Sequence, residues 1–253
     1  MLRCTAGRRD ENSVLADLCN QSRGHRHAVQ WGPLVEQDVR DVGAVSEALT
    51  EHDIDAVMHF AANIEVGEGQ REPLAFWDNN VAGVVSLLNA MERSNVRHLV
   101  FSSTCAVYGE PQSLPITEDE PRTPVNVYGQ TKHVVELTPD GTCVRDFIHV
   151  MDLAQAHLRA LDRLREGSAS FACNLGTGTG ISVKEILDAV ESVTGRPVPH
   201  TISPRRAGDA AQLVSDTRLA RDLLDFAPAY SDARTIIEHA WAFHAPRWGV
   251  SHD

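Results

Sequence analysis

The stretch "VYGQTKHVVELTPDGTCVRDFIHV", residues 127–150, decides how much sheet this chain can build. Tyr128 and Lys132 are four apart, which puts them above one another on one face of a helix. Arg145 follows only thirteen residues after Lys132. A return crossover, a further parallel strand and a loop do not fit in that interval, because the crossover alone takes a dozen or more residues. The spacing therefore predicts that the helix runs almost directly into a second structural unit. The expected division is 1–137 and 138–253, with the join near Leu137–Thr138.

On the N-terminal side of that stretch, apolar runs alternate with amphipathic ones. "SVLADL" (13–18), "GPLVEQDV" (32–39), "IDAVMHFAA" (54–62) and "RHLVFSST" (97–104) read as strands. "VGAVSEALTEH" (42–52) and "PLAFWDNNVAGVVSLLNAMERSN" (73–95) read as helices, the second with Pro73 in its first turn. On the C-terminal side, residues 150–164, 182–195, 216–225 and 232–244 read as helices, and 170–176 and 199–202 as strands. Strands alternating with helices imply an α/β fold. The expectation is an incomplete doubly wound, Rossmann-like parallel sheet with a smaller C-terminal α/β substrate domain.

Composition removes several functions. A formal charge of −12 leaves no general positive field for nucleic acid. The five cysteines are scattered without a CxxC pair and no HExxH occurs, so no metal site is expected. Their odd number suggests a reducing compartment, and no apolar run reaches membrane-spanning length. The expected setting is the cytoplasm.

Several residues carry chemistry. A tyrosine titrates near 10 and is a poor base at neutral pH, unless a nearby cation favours its phenolate. Lys132, one of only two lysines, stands where it would do that for Tyr128. The same pair also suits an exposed surface helix. Thr104 falls at the carboxyl end of a buried strand, where open α/β sheets bind ligands, although such a threonine also caps its own backbone. Asp17 and Asp38 end strands, a position suited to an adenosine ribose and equally to a turn. Arg205 and Arg206 in "SPRRAGD" suit a diphosphate or a solvated basic turn. "GTGTG" (176–180) lacks the G-x-G-x-x-G spacing, and Ser182 with Glu185 forms a capping box beyond it. It reads as a tight turn, not a phosphate loop.

Taken in order, "DVRD" (38–41), "HFAA" (59–62), "DNNVAG" (78–83), "FSSTCAVYGEP" (101–111), "LPITED" (114–119), "VYGQTK" (127–132), "CVRDFIHVMDLA" (143–154), "NLGTGTGISV" (174–183) and "PRRAGD" (204–209) resemble the UDP-glucose 4-epimerase family. That family belongs to the extended short-chain dehydrogenases/reductases. The resemblance runs from about residue 14 to 245. It implies NAD as cofactor, UDP-glucose and UDP-galactose as substrates, and transient oxidation at sugar carbon 4. It further implies Tyr128 as the base, Lys132 as its tuning residue and nicotinamide-ribose ligand, and Thr104 as a hydroxyl on the proton path. Asp17, Asp38, Val39, Phe60, Ala61, Ala62 and Asn79 would line the cofactor groove. Arg145 and Arg206 would hold the diphosphate, and Asp209 the uridine side or its ribose. Related nucleotide-sugar dehydratases carry an Asp-Glu pair after the serine or threonine, whereas Cys105 and Ala106 stand here. A homodimer through 73–95 and 126–136 is the family's habit.

Two departures from the family pattern are expected. "MLRCTAGRRDENS" supplies no glycine-rich loop ahead of Asp17, and Ala16 competes with Asp17 for the acid's alignment. About 60–70 residues are also expected to be missing at the join, judged from domain sizes. A strand missing before residue 14 would leave a break in the middle of the sheet. A second reading follows from these departures: a catalytically inactive truncated remnant that at most binds a nucleotide sugar or a partner.

Overall fold

Strands β1 (Asp17–Leu18) and β2 (Leu34–Val35) pair in parallel, Asp17 opposite Leu34. Strands β3 (Ala56–His59) and β4 (His98–Phe101) do the same, from Ala56 opposite His98 to His59 opposite Phe101. Among the described residues these are two separate parallel pairs. The structure, a computed structural model, describes residues 17–18, 29, 32–132, 144–200 and 212–248.

Helices α1 (Val42–Glu51) and α4 (Gly83–Arg93) close over the second pair. Val45, Leu49, Leu87, Ala90, Met91 and Val96 form a buried cluster there, with Val57 and Leu99 of the strands packed against it. α1 starts sharply because Asp41 accepts a hydrogen bond from the Ala44 amide, an N-cap for otherwise unpartnered donors. α4 is the end of a longer rod whose first turns are α3 (Pro73–Phe76) and a π turn, Trp77–Ala82. The single helix expected over 73–95 is thus interrupted by one wide turn. Pro73 sits in its first turn, where its missing amide costs nothing. A short helix, α2 (Val66–Arg71), precedes it.

β4 leads into a 3₁₀ turn, Cys105–Tyr108, and then a loop to α5 (Val127–Lys132). The second unit is a three-stranded mixed sheet. β5 (Val144–Arg145) lies centrally, antiparallel to β6 (Ile181–Ser182) and parallel to β7 (Gln212–Leu213). α6 (Val150–Arg165) lies against β4, its Arg165 paired with Asp55, and packs with α8 (Arg218–Leu224); α7 (Val183–Thr194) follows β6 and packs with α9 (Ala233–His244). α7 opens on the capping box of Ser182 and Glu185 and closes on Gly195 at φ 68°. Its start and stop follow the sequence reading within a residue.

The strand expected over 170–176 is not formed. Phe171, Cys173 and Leu175 alternate inward and pack with Ala156, Ala220, Leu224 and Phe226. Asn174 between them is buried as well and donates to the Ile116 carbonyl at 3.0 Å, so the segment is covered on both sides without forming a ladder. No membrane-length apolar helix occurs among the described residues.

Candidate active site

The carboxyl ends of β3 and β4 meet at His59 and Phe101, whose rings stack with centroids 5.7 Å apart. The Ser102 amide donates to the His59 carbonyl at 3.1 Å, carrying the chain across the top of both strands. There α5 arrives, held by Gln70, whose side chain accepts from the Val127 amide at 3.1 Å. Tyr128 and Lys132 are both buried, and the Tyr128 ring meets Phe76 edge-on at 6.3 Å. This rules out the exposed-helix alternative for the pair.

Lys132 ends in a niche of two parts. Its Nζ donates to the Ser102 carbonyl at 2.7 Å and lies 4.4 Å from the centre of the Phe101 ring. Burial lowers the amine from 10.5 to about 8, since removing an ammonium from water disfavours its charged form. His59 is lowered to about 4, first by burial and then by the positive charge of Lys132. Tyr128 moves the other way. Burial pushes its phenol up to about 12, so desolvation outweighs the lowering that sequence spacing leads one to expect. Thr104 is half-buried, two residues beyond the carbonyl that holds Lys132.

One asparagine binds the surrounding segments together. Asn80, in the π turn, accepts from the Asn63 amide at 2.7 Å and donates to the Asn63 carbonyl at 3.0 Å. Its amide also donates to Thr131 Oγ1 at 2.9 Å, and that hydroxyl donates to the Tyr128 carbonyl at 2.8 Å. Asn79 donates to Asn80 at 2.9 Å and so joins the same cluster. The loop after β3, which carries Phe60, Ala61 and Ala62, is thereby tied to the helix of Tyr128. Phe60 packs on the His157 ring of α6 at 4.9 Å. Sequence reasoning selected Asn79 and passed over Asn80, His59, Phe101 and Ser102. Each lies inside a quoted motif, but only the fold shows which member points inward.

The Asp38 carboxylate is gripped by Arg40 through its backbone amide at 2.9 Å, Nε at 2.8 Å and Nη2 at 2.7 Å. Arg40 also reaches Asp78, beside Asn79. Val39 turns its side chain into the core, leaving its main chain as the part the loop can present. Asp17 contributes a backbone pair on β1, and its side chain lies outside the described residues, as do Arg206 and Asp209. Arg145 stands half-buried on β5. Leu213 is core, packed with Val107, Tyr108 and Ile116.

The Lys132 niche can offer hydrogen-bond donors to a ligand. An ammonium has three donors, and the Ser102 carbonyl engages one of them. The turn at Gly176–Gly180 does not fit a pyrophosphate, because the Asp146 carboxylate already accepts from its Thr177 and Gly178 amides at 2.6 and 3.1 Å. That turn is closed by an acid, which the sequence reading of it as a tight turn did not include. Among the described residues no group of histidines, cysteines and acids could hold a metal ion.

Comparison with known proteins identifies the family. A sequence model of the "NAD dependent epimerase/dehydratase family" matches residues 5–138 and 133–176. A UDP-glucose 4-epimerase of Rhizobium leguminosarum bv. trifolii is 40% identical over 289 residues, covering 89% of this chain and 88% of the relative. That alignment is longer than the 253-residue chain itself, so positions of the relative lack counterparts here. The two family-model segments meet at 133–138, where the sequence predicts the join. The crystal structure of UDP-glucose 4-epimerase from Brucella ovis in complex with NAD superposes with a TM-score of 0.85 at 34% identity, covering 95% of this chain and 92% of that one. The Bifidobacterium longum enzyme in complex with NAD+ and UDP gives 0.82 at 26% identity, with 92% and 91% covered. The chain belongs to the NAD dependent epimerase/dehydratase family, among its UDP-glucose 4-epimerases.

Proposed function

We propose that this chain interconverts UDP-glucose and UDP-galactose by NAD-dependent epimerisation at sugar carbon 4. The observation that carries the reading is the burial of Tyr128 and Lys132 together at the carboxyl end of β4, with the Lys132 ammonium on the Ser102 carbonyl. The cofactor supplies, when bound, a reversible acceptor for the hydrogen of carbon 4. Tyr128 takes the proton of the 4-hydroxyl and later returns it. A phenol titrating near 12 costs about 7 kcal/mol to ionise at pH 7, so the site must supply a cation as the proton leaves. Lys132, near 8, is mostly protonated at pH 7 and provides that charge within a turn of helix. Thr104 offers a hydroxyl through which the proton passes.

Asp38, Val39, Phe60, Ala61, Ala62 and Asn79 line the cofactor side in this reading, Asp17 its ribose end, and Lys132 the nicotinamide ribose. Arg145 and Arg206 hold the diphosphate by charge-assisted hydrogen bonds and Asp209 the uridine side. Residues 1–137 form the cofactor unit and 138–253 the substrate unit. The work is cytoplasmic, and the assembly a homodimer through the α3–α4 rod and α5. Relatives matched along nearly nine-tenths of their length favour this over an inactive remnant.

The test is conversion of UDP-galactose to UDP-glucose by the purified chain with NAD, alongside NAD calorimetry. Tyr128→Phe is expected to lower kcat by about 10²–10⁴ while leaving UDP affinity intact. A cooperatively folded protein that binds no NAD up to millimolar concentration would establish the remnant instead.

A further inference from the structure

Asp146, the residue after Arg145, has no part in the reaction above, yet its carboxylate ties three segments together. Oδ1 accepts from the Thr177 amide and from Thr177 Oγ1, both at 2.6 Å. Oδ2 accepts from the Gly178 and Ser215 amides, both at 3.1 Å. The Asp146 amide itself donates to the Leu213 carbonyl at 3.0 Å. Gly176 makes the approach possible: a Cβ there would lie 2.2 Å from Oδ2.

Val144–Arg145 are the described residues of the strand that carries Arg145, which ends at Arg145. Asp146 adds four restraints just beyond it. One of them leads toward the catalytic end. Ser215 is fully buried, its Oγ meets Cys105 Sγ at 2.8 Å, and it bridges in parallel to Ile116. Cys105 directly follows Thr104. Arg145, Asp146, Ser215, Cys105 and Thr104 therefore form one continuous line of bonded or touching groups.

We propose that Asp146 is a positioning residue, which sets the Arg145 strand end at a fixed distance from Thr104 so that a nucleoside diphosphate held at Arg145 presents its sugar to the Tyr128 helix. This rests on the reading of Arg145 as the diphosphate ligand. Forked arginine contacts are sensitive to placement, and a displacement of about 1 Å can cost roughly a hundredfold. An asparagine at 146 would keep one oxygen and turn an amide donor against donors.

The experiment is a double-mutant cycle on UDP affinity, by calorimetry on the full chain with NAD present. Arg145→Ala and Asp146→Asn are each expected to weaken UDP binding about tenfold or more. In the Arg145→Ala background, Asp146→Asn is expected to add less than about twofold, because its effect acts through Arg145. Additive losses would make Asp146 a general structural residue and overturn the proposal, as would an Asp146→Asn protein with unchanged UDP affinity. If Arg145→Ala leaves UDP affinity unchanged, the reading of Arg145 fails first and takes this one with it. Should Asp146→Asn lose its cooperative melt, Thr177→Val replaces it in the same cycle. That variant removes one hydroxyl donor and keeps the backbone donors, and it is held to the same non-additivity with a loss of about three- to tenfold.

Discussion

Replacing Lys132 with methionine isolates the cost of burying an ammonium at the candidate active site. The amine titrates near 8 in the fold and at 10.5 when unperturbed. At about 1.36 kcal/mol per pH unit of separation, the difference is roughly 3 kcal/mol. Below pH 8 both folded and unfolded chains carry the proton, and the fold bears the full cost. Between 8 and 10.5 the unfolded chain holds the proton and the folded one does not, so stability rises with pH. Above 10.5 the cost is gone. Lys132→Met removes this dependence. Wild-type stability relative to the variant should therefore climb by about 3 kcal/mol from pH 7 to 10.5, or roughly 6–12 °C in Tm for a chain of this size. Urea unfolding of both proteins across that range measures it. The opposite drift from Tyr128, whose phenol lies near 12 in the fold, enters above pH 10 and largely cancels between the two proteins. Parallel stability curves would refute the reasoning, because they would mean that the Ser102 carbonyl and the Phe101 ring fully replace the lost water. A second readout is the His59 imidazole, which NMR should find titrating above about 4 once the Lys132 charge is removed.

Further outcomes follow from the same contacts. Because His59 titrates near 4 in the fold and 6.5 when unperturbed, wild-type stability should fall by about 3 kcal/mol as pH drops through that window, and His59→Leu should flatten the fall in acid melts. Gly109→Ala should cost more than about 3 kcal/mol in denaturant unfolding, since its φ is 62° and a Cβ would lie 2.0 Å from the Thr123 carbonyl. Ser182→Ala should cost about 1 kcal/mol in the same measurement by removing one half of the capping box.

The helices were readable because their signals are local. Ser182 with Glu185 marks a start, Gly195 marks a stop, and Pro73 opens a first turn. Strands β1 to β4 were readable as apolar runs but not in extent, because a run does not say how many of its residues find a partner, and β5, β6 and β7 were not read as strands at all. Phe171, Cys173 and Leu175 show the difference, being buried by side-chain packing without a ladder. At the candidate site the Tyr128–Lys132 pairing was visible in the spacing, whereas the protonation balance was not. Spacing places the lysine near the phenol but is silent about water, and burial raises the phenol despite its neighbour. Asn80 was hidden for a related reason: within "DNNVAG" either asparagine looks alike, and a π turn shifts which one faces inward.

That π turn also bears on how the helix tolerates length changes. A wide turn holds one residue more than an α turn and is less favourable in isolation. Deleting one residue between Trp77 and Ala82 would let the rod run as regular α-helix from Pro73, repairing its own backbone ladder. The same repair would rotate Asn80 away from Asn63 and Thr131 by about 100°, the angle per residue of a regular helix. The shorter protein would have a sounder helix and an unclasped loop after β3. The irregular turn is thus a register offset, a single surplus residue through which local helix stability is exchanged for the grip on the segment bearing Tyr128.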